Sequence, residues 1–458
     1  MNLIRKWRWL VKRILVYVPF GIVILYLFLN KHFIANSYIG LPKPTYTKFQ
    51  KESYSLENFG APIKAGFAKR NITPFEFLPA SLAGFTPWHH GWLIHDQLWA
   101  KSLTLQDKKG NTIIIVSCDL IGLLPDEITK IRSLVKNKNV NPDNIFINTT
   151  HTHSGPDTMG IWGFYAPISL VSGKNEKYLK GLRKKVAEAI DASIENLQES
   201  SIRFAQGEFL NRANGRDGNP PDPTVSTIQV LASSQCEKTC SLGKSYIPVT
   251  LVNFAVHADI VESLQISADF PYYLSERLWA ITGGETMFIP GAIGGVQPKG
   301  DRSDGPNLAR CLGEGLADRV MELLKNPVVP DRADISVIKI SVSAPLENWR
   351  FSLLARLGVI SDILNENGKV LAEVSRVRIG PAEILTVPGE LFPKIWWRVK
   401  SKMRGNPKMI FGLTNGEFGY ILLPEDVRSE KNKYHVGVSV GPMFGEEIDK
   451  ALQKLTEY

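Results

Sequence analysis

Continuous apolar runs alternate along this chain with stretches in which apolar side chains recur every three or four positions. The runs at 111–123 (NTIIIVSCDLIGL), 144–150 (NIFINTT) and 247–256 (IPVTLVNFAV) predict strands buried on both faces, because a half-exposed strand would alternate with polar residues. Between them Tyr178, Leu182, Val186, Ile190, Ile194 and Leu197 keep helical spacing, and a second helical stretch is predicted near 306–325, after the turn-like GDRSDGPN. Buried strands covered on both faces by helices predict an α/β fold: mixed β-sheets flanked by helices in one large catalytic-type domain over residues 63–458.

The N-terminus has a different pattern. Residues 14–30 (ILVYVPFGIVILYLFLN) carry no charge, while Arg5, Lys6, Arg8, Lys12 and Arg13 precede them and Lys31 follows. Such a run reads as a single transmembrane anchor (14–30), with 1–13 a cytoplasmic basic tail and the rest outside the cytoplasm, periplasmic or extracellular. A cleaved signal peptide is the alternative, but FIANSYIG offers a poor cleavage site. Residues 31–62, with Pro42, Pro44 and Pro62, read as a tether into the folded body.

This placement changes the meaning of the net charge of +9. Removing the six N-terminal cations from the 54 basic residues leaves 48 against 45 acidic ones, so the body is nearly balanced and a nucleic-acid partner is not supported. Four cysteines exclude a disulfide-built scaffold. Cys236 and Cys240 sit in a polar loop and are expected to form a small local disulfide in an oxidising compartment. Cys118 and Cys311 are expected in the core.

The strand at 144–150 runs into His151-Thr152-His153-Ser154-Gly155-Pro156, and the strand at 247–256 ends in His257. Two buried strands thus each deliver a histidine at the carboxyl end, where open α/β sheets place ligand sites. His151 and His153 face the same side only if the chain stays extended; if it turns, one need be a ligand. Catalytic zinc takes three protein ligands and keeps an open position, and Asp259, Asp269 or Glu390 can complete the set. Spacing alone does not choose among them. His89, His90 and His95 form a further cluster with no strand to deliver it, read as a loop near the site mouth.

Taken together and in order, AGFAKRNITP, NTTHTHSGP, VNFAVHADIV followed by QISADFP, and VPGELF resemble the neutral (non-lysosomal) ceramidase family over roughly residues 64–445. The resemblance implies a zinc-dependent amidohydrolase cleaving the N-acyl bond of ceramide, a membrane lipid, with Zn2+ held by His151, His257, Glu390 and the Tyr420 of NGEFGYI. Glu417, where some members have a further Tyr, is an alternative ligand. His153 then lies on the substrate side as proton or hydrogen-bond donor, Arg212 supplies fixed positive charge, and Tyr420 serves metal or oxyanion. Two departures stand out. The family's G-D-x-S-P stretch is Gly294-Gly295-Val296-Gln297-Pro298 here, which removes the Ser assigned a catalytic role and leaves attack by metal-activated water. The family's larger members continue into an immunoglobulin-like domain at about the point where this chain ends. A hydrolase of another exported N-acyl lipid, amide or ester, and a silent binding protein retaining the fold, remain the alternatives. The aromatic segments 160–168 and 395–397 are each read either as core or as a membrane-facing or acyl-chain surface.

Overall fold

Eight strands form the central sheet: β1 (Pro62–Asn71), β2 (Trp99–Gln106), β3 (Thr112–Cys118), β4 (Ile145–Thr149), β5 (Gln198–Glu208), β6 (Thr224–Ser234), β7 (Ser245–Phe254) and β8 (Glu285–Pro290). Their order is β8-β7-β6-β5-β1-β2-β3-β4, antiparallel except for the outer pairs β7–β8 and β3–β4, which are parallel. A second sheet contains β9 (Ile335–Pro345), β10 (Lys369–Ile379), β11 (Ala382–Thr386) and β12 (Lys408–Phe411) in that order, with only β11–β12 parallel. The computed structural model describes residues 61–458 except 86–88, 164–171, 217–218, 235–244, 359, 361–362 and 365–366. The expected anchor at 14–30, nearly all of the tether, and Cys236 and Cys240 lie outside the described residues. No helix among those described is long and apolar enough to cross a membrane. The described residues belong to one compact unit.

The α/β expectation holds, but not its picture of helices on both faces. Side chains alternate across β3: Ile113 and Ile115 face the second sheet, where Ile335, Val377, Ile384 and Phe411 meet them, whereas Ile114 and Val116 face helices. Those helices are α1 (Pro125–Leu134) and α2 (Glu176–Glu195), which contribute Ile128, Ile131, Leu182, Val186 and Ile190. The outer face of the second sheet is covered by helices at Pro393–Lys400 and Pro442–Leu455, through Trp396, Phe444, Ile448 and Leu452. The order of layers is helix, sheet, sheet, helix. A continuous apolar strand is explained equally well by a facing sheet or a facing helix, because both exclude water.

Local signals fix the helix starts. Asn175 caps α2 by accepting from the amides of Lys177 and Tyr178, and Pro occupies the first turn of α1. The predicted helix near 306–325 is Gly305–Leu323, and it turns Cys311 outward, so Cys311 is exposed and not a core residue, while Cys118 is buried as expected.

Curl of the large sheet positions the site. Ser117 Oγ on β3 donates to the Phe288 carbonyl on β8 at 2.7 Å, and Lys101 Nζ on β2 donates to that of Thr286 at 2.7 Å. Strands far apart in the order are therefore neighbours in space, and the loops after β4 and β7 converge.

Candidate metal centre

His151 follows β4 and adopts φ 63°, a left-handed conformation rare for a residue with a side chain. Its amide bonds to the Leu120 carbonyl, and its Nδ1 donates to the Ile121 carbonyl at 2.7 Å. The chain does turn here, yet His153 stays at the site: its amide bonds to the Ala258 carbonyl, and its ring centre lies 4.9 Å from that of His151. His257 follows β7 and donates from Nδ1 to the Val296 carbonyl at 2.5 Å. One nitrogen from each of His151, His153 and His257 lies within 4.8 Å of the others, an arrangement able to hold a metal ion.

Glu390 completes the cluster. It starts a two-residue strand, Glu390–Leu391, paired in parallel with Tyr420–Ile421 so that Glu390 sits opposite Tyr420. Its Oε2 lies 2.8 Å from His257 Nε2 and its Oε1 3.6 Å from His151 Nε2. A tetrahedral zinc site with bonds near 2 Å spaces its ligand atoms about 3.3 Å apart, between those two distances.

The hydrogen-bond chemistry tests the fit of a cation. A carbonyl oxygen only accepts, so the Nδ1 atoms of His151 and His257 both carry hydrogen. The Nε2 of a neutral His257 then turns a lone pair toward a carboxylate oxygen, which needs a proton or a cation between them. Both ring nitrogens of His153 and the Oε2 of Glu417 are buried without a hydrogen-bond partner among the described residues. Carbonyl-oriented imidazoles beside a carboxylate are how proteins prepare a metal site, and this donor set suits a divalent transition metal, zinc among them.

Burial and mutual charge set the protonation states. Burial lowers His153 to about 3, with the neighbouring His151 adding to the effect. Burial also lowers His151. For His257 burial acts downward, but the bond to Glu390 and its charge outweigh it and raise the pKa. Burial acts upward on Glu390, and the surrounding histidines pull it down to about 2. Burial and the Glu390 charge hold the Glu417 carboxyl and the Tyr420 hydroxyl well above their ordinary values.

The other expected residues divide. Asp259 is buried and ion-paired, 2.6 Å from Arg302 Nη2 and 3.7 Å from Arg216 Nη2. Asp269 is spent on the backbone: it accepts from the amides of Ile260, Val261 and Phe270, and so holds the loop after His257 rather than reaching a metal. Glu417 Oε1 accepts from the Gly419 amide. Arg212 is exposed and its guanidinium lies 4.7 Å over the Phe209 ring. The arginine facing the cluster is Arg216, which sequence reasoning missed. Its amide donates to the Gly295 carbonyl, and it reaches Asp259 and the Tyr434 ring. Gln297, half-buried, lies in the short strand Val296–Pro298, opposite Asn214. Of the histidine cluster, His89 is buried with Nε2 2.7 Å from the Ser263 carbonyl, and His95 Nδ1 lies 2.6 Å from Asp96. Neither is in the metal cluster. His89 does stack on Phe85, whose ring packs against His153.

An apolar cavity opens from the cluster. His151, His153, Glu390, Glu417 and Tyr420 form its polar end, and Ile121, Leu124, Met159, Ile161, Trp162, Phe351 and Val440 are among its apolar walls. The described part of the first aromatic segment thus lines this cavity. The second is core at two of its three residues: Ile395 and Trp396 are buried and the Trp396 indole donates to Asp222, whereas Trp397 is exposed and donates to the Pro220 carbonyl.

No protein-family model matches the chain. A neutral ceramidase of Pseudomonas aeruginosa is 26% identical over 161 residues, which cover 34% of this chain and 23% of that protein. The crystal structure of neutral ceramidase from the same organism superposes with a TM-score of 0.68 at 17% identity, over 87% of this chain and 75% of that one. A ceramidase complexed with C2 gives 0.67 at 17% identity, over 86% and 75%. In the aligned segment and in its fold, the chain is similar to the neutral ceramidase family, the resemblance its motifs already carried.

Proposed function

We propose that this chain is a zinc-dependent amidohydrolase that cleaves the N-acyl bond of ceramide, releasing a sphingoid base and a fatty acid. The carrying observation is the convergence of His151, His153, His257 and Glu390 at the polar end of an apolar cavity. His151, His257 and Glu390, with Tyr420 beside them, are the proposed ligands. A bound zinc ion supplies a Lewis acid and lowers the pKa of water.

The residues around it have separable tasks. The cavity walls take the acyl chain and exclude water from it. The Tyr420 hydroxyl, kept protonated, donates to the scissile carbonyl oxygen as charge develops there. His153, uncharged and without a partner at either nitrogen among the described residues, receives the proton given up by the attacking water and passes it to the leaving amine nitrogen as its bond to the acyl carbon breaks. Arg216 supplies fixed positive charge, the role the family resemblance had given to Arg212. Residues 14–30 are proposed to anchor the chain, with the catalytic body outside the cytoplasm.

Gly295 and Gln297 favour a second reading in which the substrate is a related N-acyl lipid, since they stand where the family has Asp and Ser, in and beside the short strand whose Val296 carbonyl holds His257. Hydrolysis of labelled ceramide by the detergent-solubilised protein, with and without a chelator, tests both. Chelator-sensitive release of fatty acid supports the proposal, and the absence of release from any N-acyl lipid in a panel defeats it.

A further inference from the structure

The helix at Trp349–Arg356 (WRFSLLAR) is rich in apolar side chains, yet none of its residues is fully buried. Trp349 is 65% exposed, and Leu357, just past its end, 53%. The helix lies at the cavity: Phe351 lines it, as does Tyr434, itself 58% exposed. On its other side, Trp349 and Arg350 line an open groove with Lys433 and the start of the last helix.

Apart from Glu347, the charged side chains lining this patch are cations. Arg350, Arg356 and Lys433 are exposed, and none has a carboxylate partner among the described residues. The carboxylate lining the groove, Glu347, is turned to the Met443 amide at 2.8 Å. A short helix with exposed Trp and Leu between unpaired cations fits the boundary of a lipid leaflet, where indole and phenol rings settle at headgroup depth and cations meet anionic headgroups. A second copy of this chain fits poorly, because a two-fold contact would set these cations against themselves.

We infer that the face built from Trp349, Arg350, Arg356, Leu357, Lys433 and Tyr434 docks on an anionic bilayer and sets the cavity mouth against the leaflet. This surface is distinct from any anchoring by residues 14–30 and from the two aromatic segments singled out in the sequence. It goes beyond the hydrolase reading.

Hydrogen–deuterium exchange of the full chain tests it, in nanodiscs of phosphatidylcholine alone and of phosphatidylcholine with phosphatidylglycerol. Exchange over residues 349–358 should slow at least about threefold in the anionic discs relative to the neutral ones. The Arg350→Glu, Arg356→Glu variant should lose that difference while the central sheet stays protected. Equal protection in both discs overturns the charge argument, and no protection in either overturns the docking face. The readout needs no turnover, so failure here and failure of the hydrolase reading are separate results.

Discussion

His257 Nε2 lies 2.8 Å from Glu390 Oε2, while the opposite ring nitrogen is committed to the Val296 carbonyl. A ring held this way presents one lone pair in one direction, and the carboxylate stands in that direction. The pair fits a site whose missing member is a cation. Substituting His257 or His151 by Ala should therefore remove stoichiometric metal and activity together, by elemental analysis of folded protein. Full occupancy in both variants contradicts the ligand assignment.

Protons compete for the same place. The pKa of His257 is raised above 6.5, so metal uptake at pH 6.5 should release more than about half a proton, falling toward zero at high pH. His151 and His153, lowered by burial, are already neutral there and release none. Calorimetric titration in buffers of different ionisation enthalpy measures the number. Uptake without proton release at pH 6.5 would count against a protonated His257.

The chelated protein carries a related signature. Glu390 is depressed to about 2 from 4.5, so its contribution is present above pH 4.5 and lost as pH falls toward 2. His257 is raised, so its contribution is present below pH 6.5 and lost as pH rises through its folded value. The stability gap between wild type and Glu390→Gln should thus be widest between about pH 4.5 and 6.5. His151 and His153 lose stability in both proteins as pH falls below 6.5, and without the Glu390 charge they lose more of it, which adds to the gap on the acid side. Thermal unfolding across pH would expose the error if the gap were flat.

Gly84 separates ligand from proton carrier. It has φ +96°, and a Cβ there would lie 2.3 Å from the His153 ring. Gly84→Ala should displace that ring and lower kcat by about tenfold or more while the metal stays bound. Loss of metal along with activity would place His153 among the ligands instead.

Much of this site was legible because its residues sit at the ends of elements with strong local signals. His151 and His257 terminate apolar strands, and Glu390 stands in a recognisable Pro-Gly-Glu turn. More than one sheet was expected, but the strands of the second were not read although their period-two pattern is present in ISVIKISVSAP and KVLAEVSRVRI; what covers a buried strand is a tertiary fact that a strand's own residues do not encode. Arg216 was invisible for a similar reason. It reaches Asp259 only because the short strand Ala213–Gly215 pairs with Val296–Pro298, two segments far apart in sequence and without periodicity.

That geometry makes a comparison of arginines informative. Arg216→Ala should reduce kcat/KM by about tenfold to a hundredfold, as expected for removing a charge near developing oxyanion character. Arg212→Ala, on an exposed side chain stacked over Phe209, should change it by less than about threefold. The reverse ranking in steady-state kinetics would return the role to Arg212.

The chemistry of attack can be tested at Gln297. A nucleophilic serine is absent from this position, and an amide side chain forms no acyl intermediate. What the segment supplies is backbone: Val296 holds His257 through its carbonyl, and the strand pairs with 213–215 through main-chain bonds that survive a side-chain change. Gln297→Ala should therefore lower activity only about threefold, whereas removing metal should abolish it. Single turnover in oxygen-18 water should place label directly in the fatty acid carboxylate. Acid-quenched protein should carry no acyl adduct by mass spectrometry. Cys118 is buried with its thiol pushed far up, so it offers no thiolate for such an adduct. An acyl group trapped on any serine or cysteine at a rate matching turnover would falsify direct attack by water. The oxygen of that side chain, or the sulfur, would then be the nucleophile, and the His151–His257–Glu390 cluster would serve to polarise the substrate carbonyl.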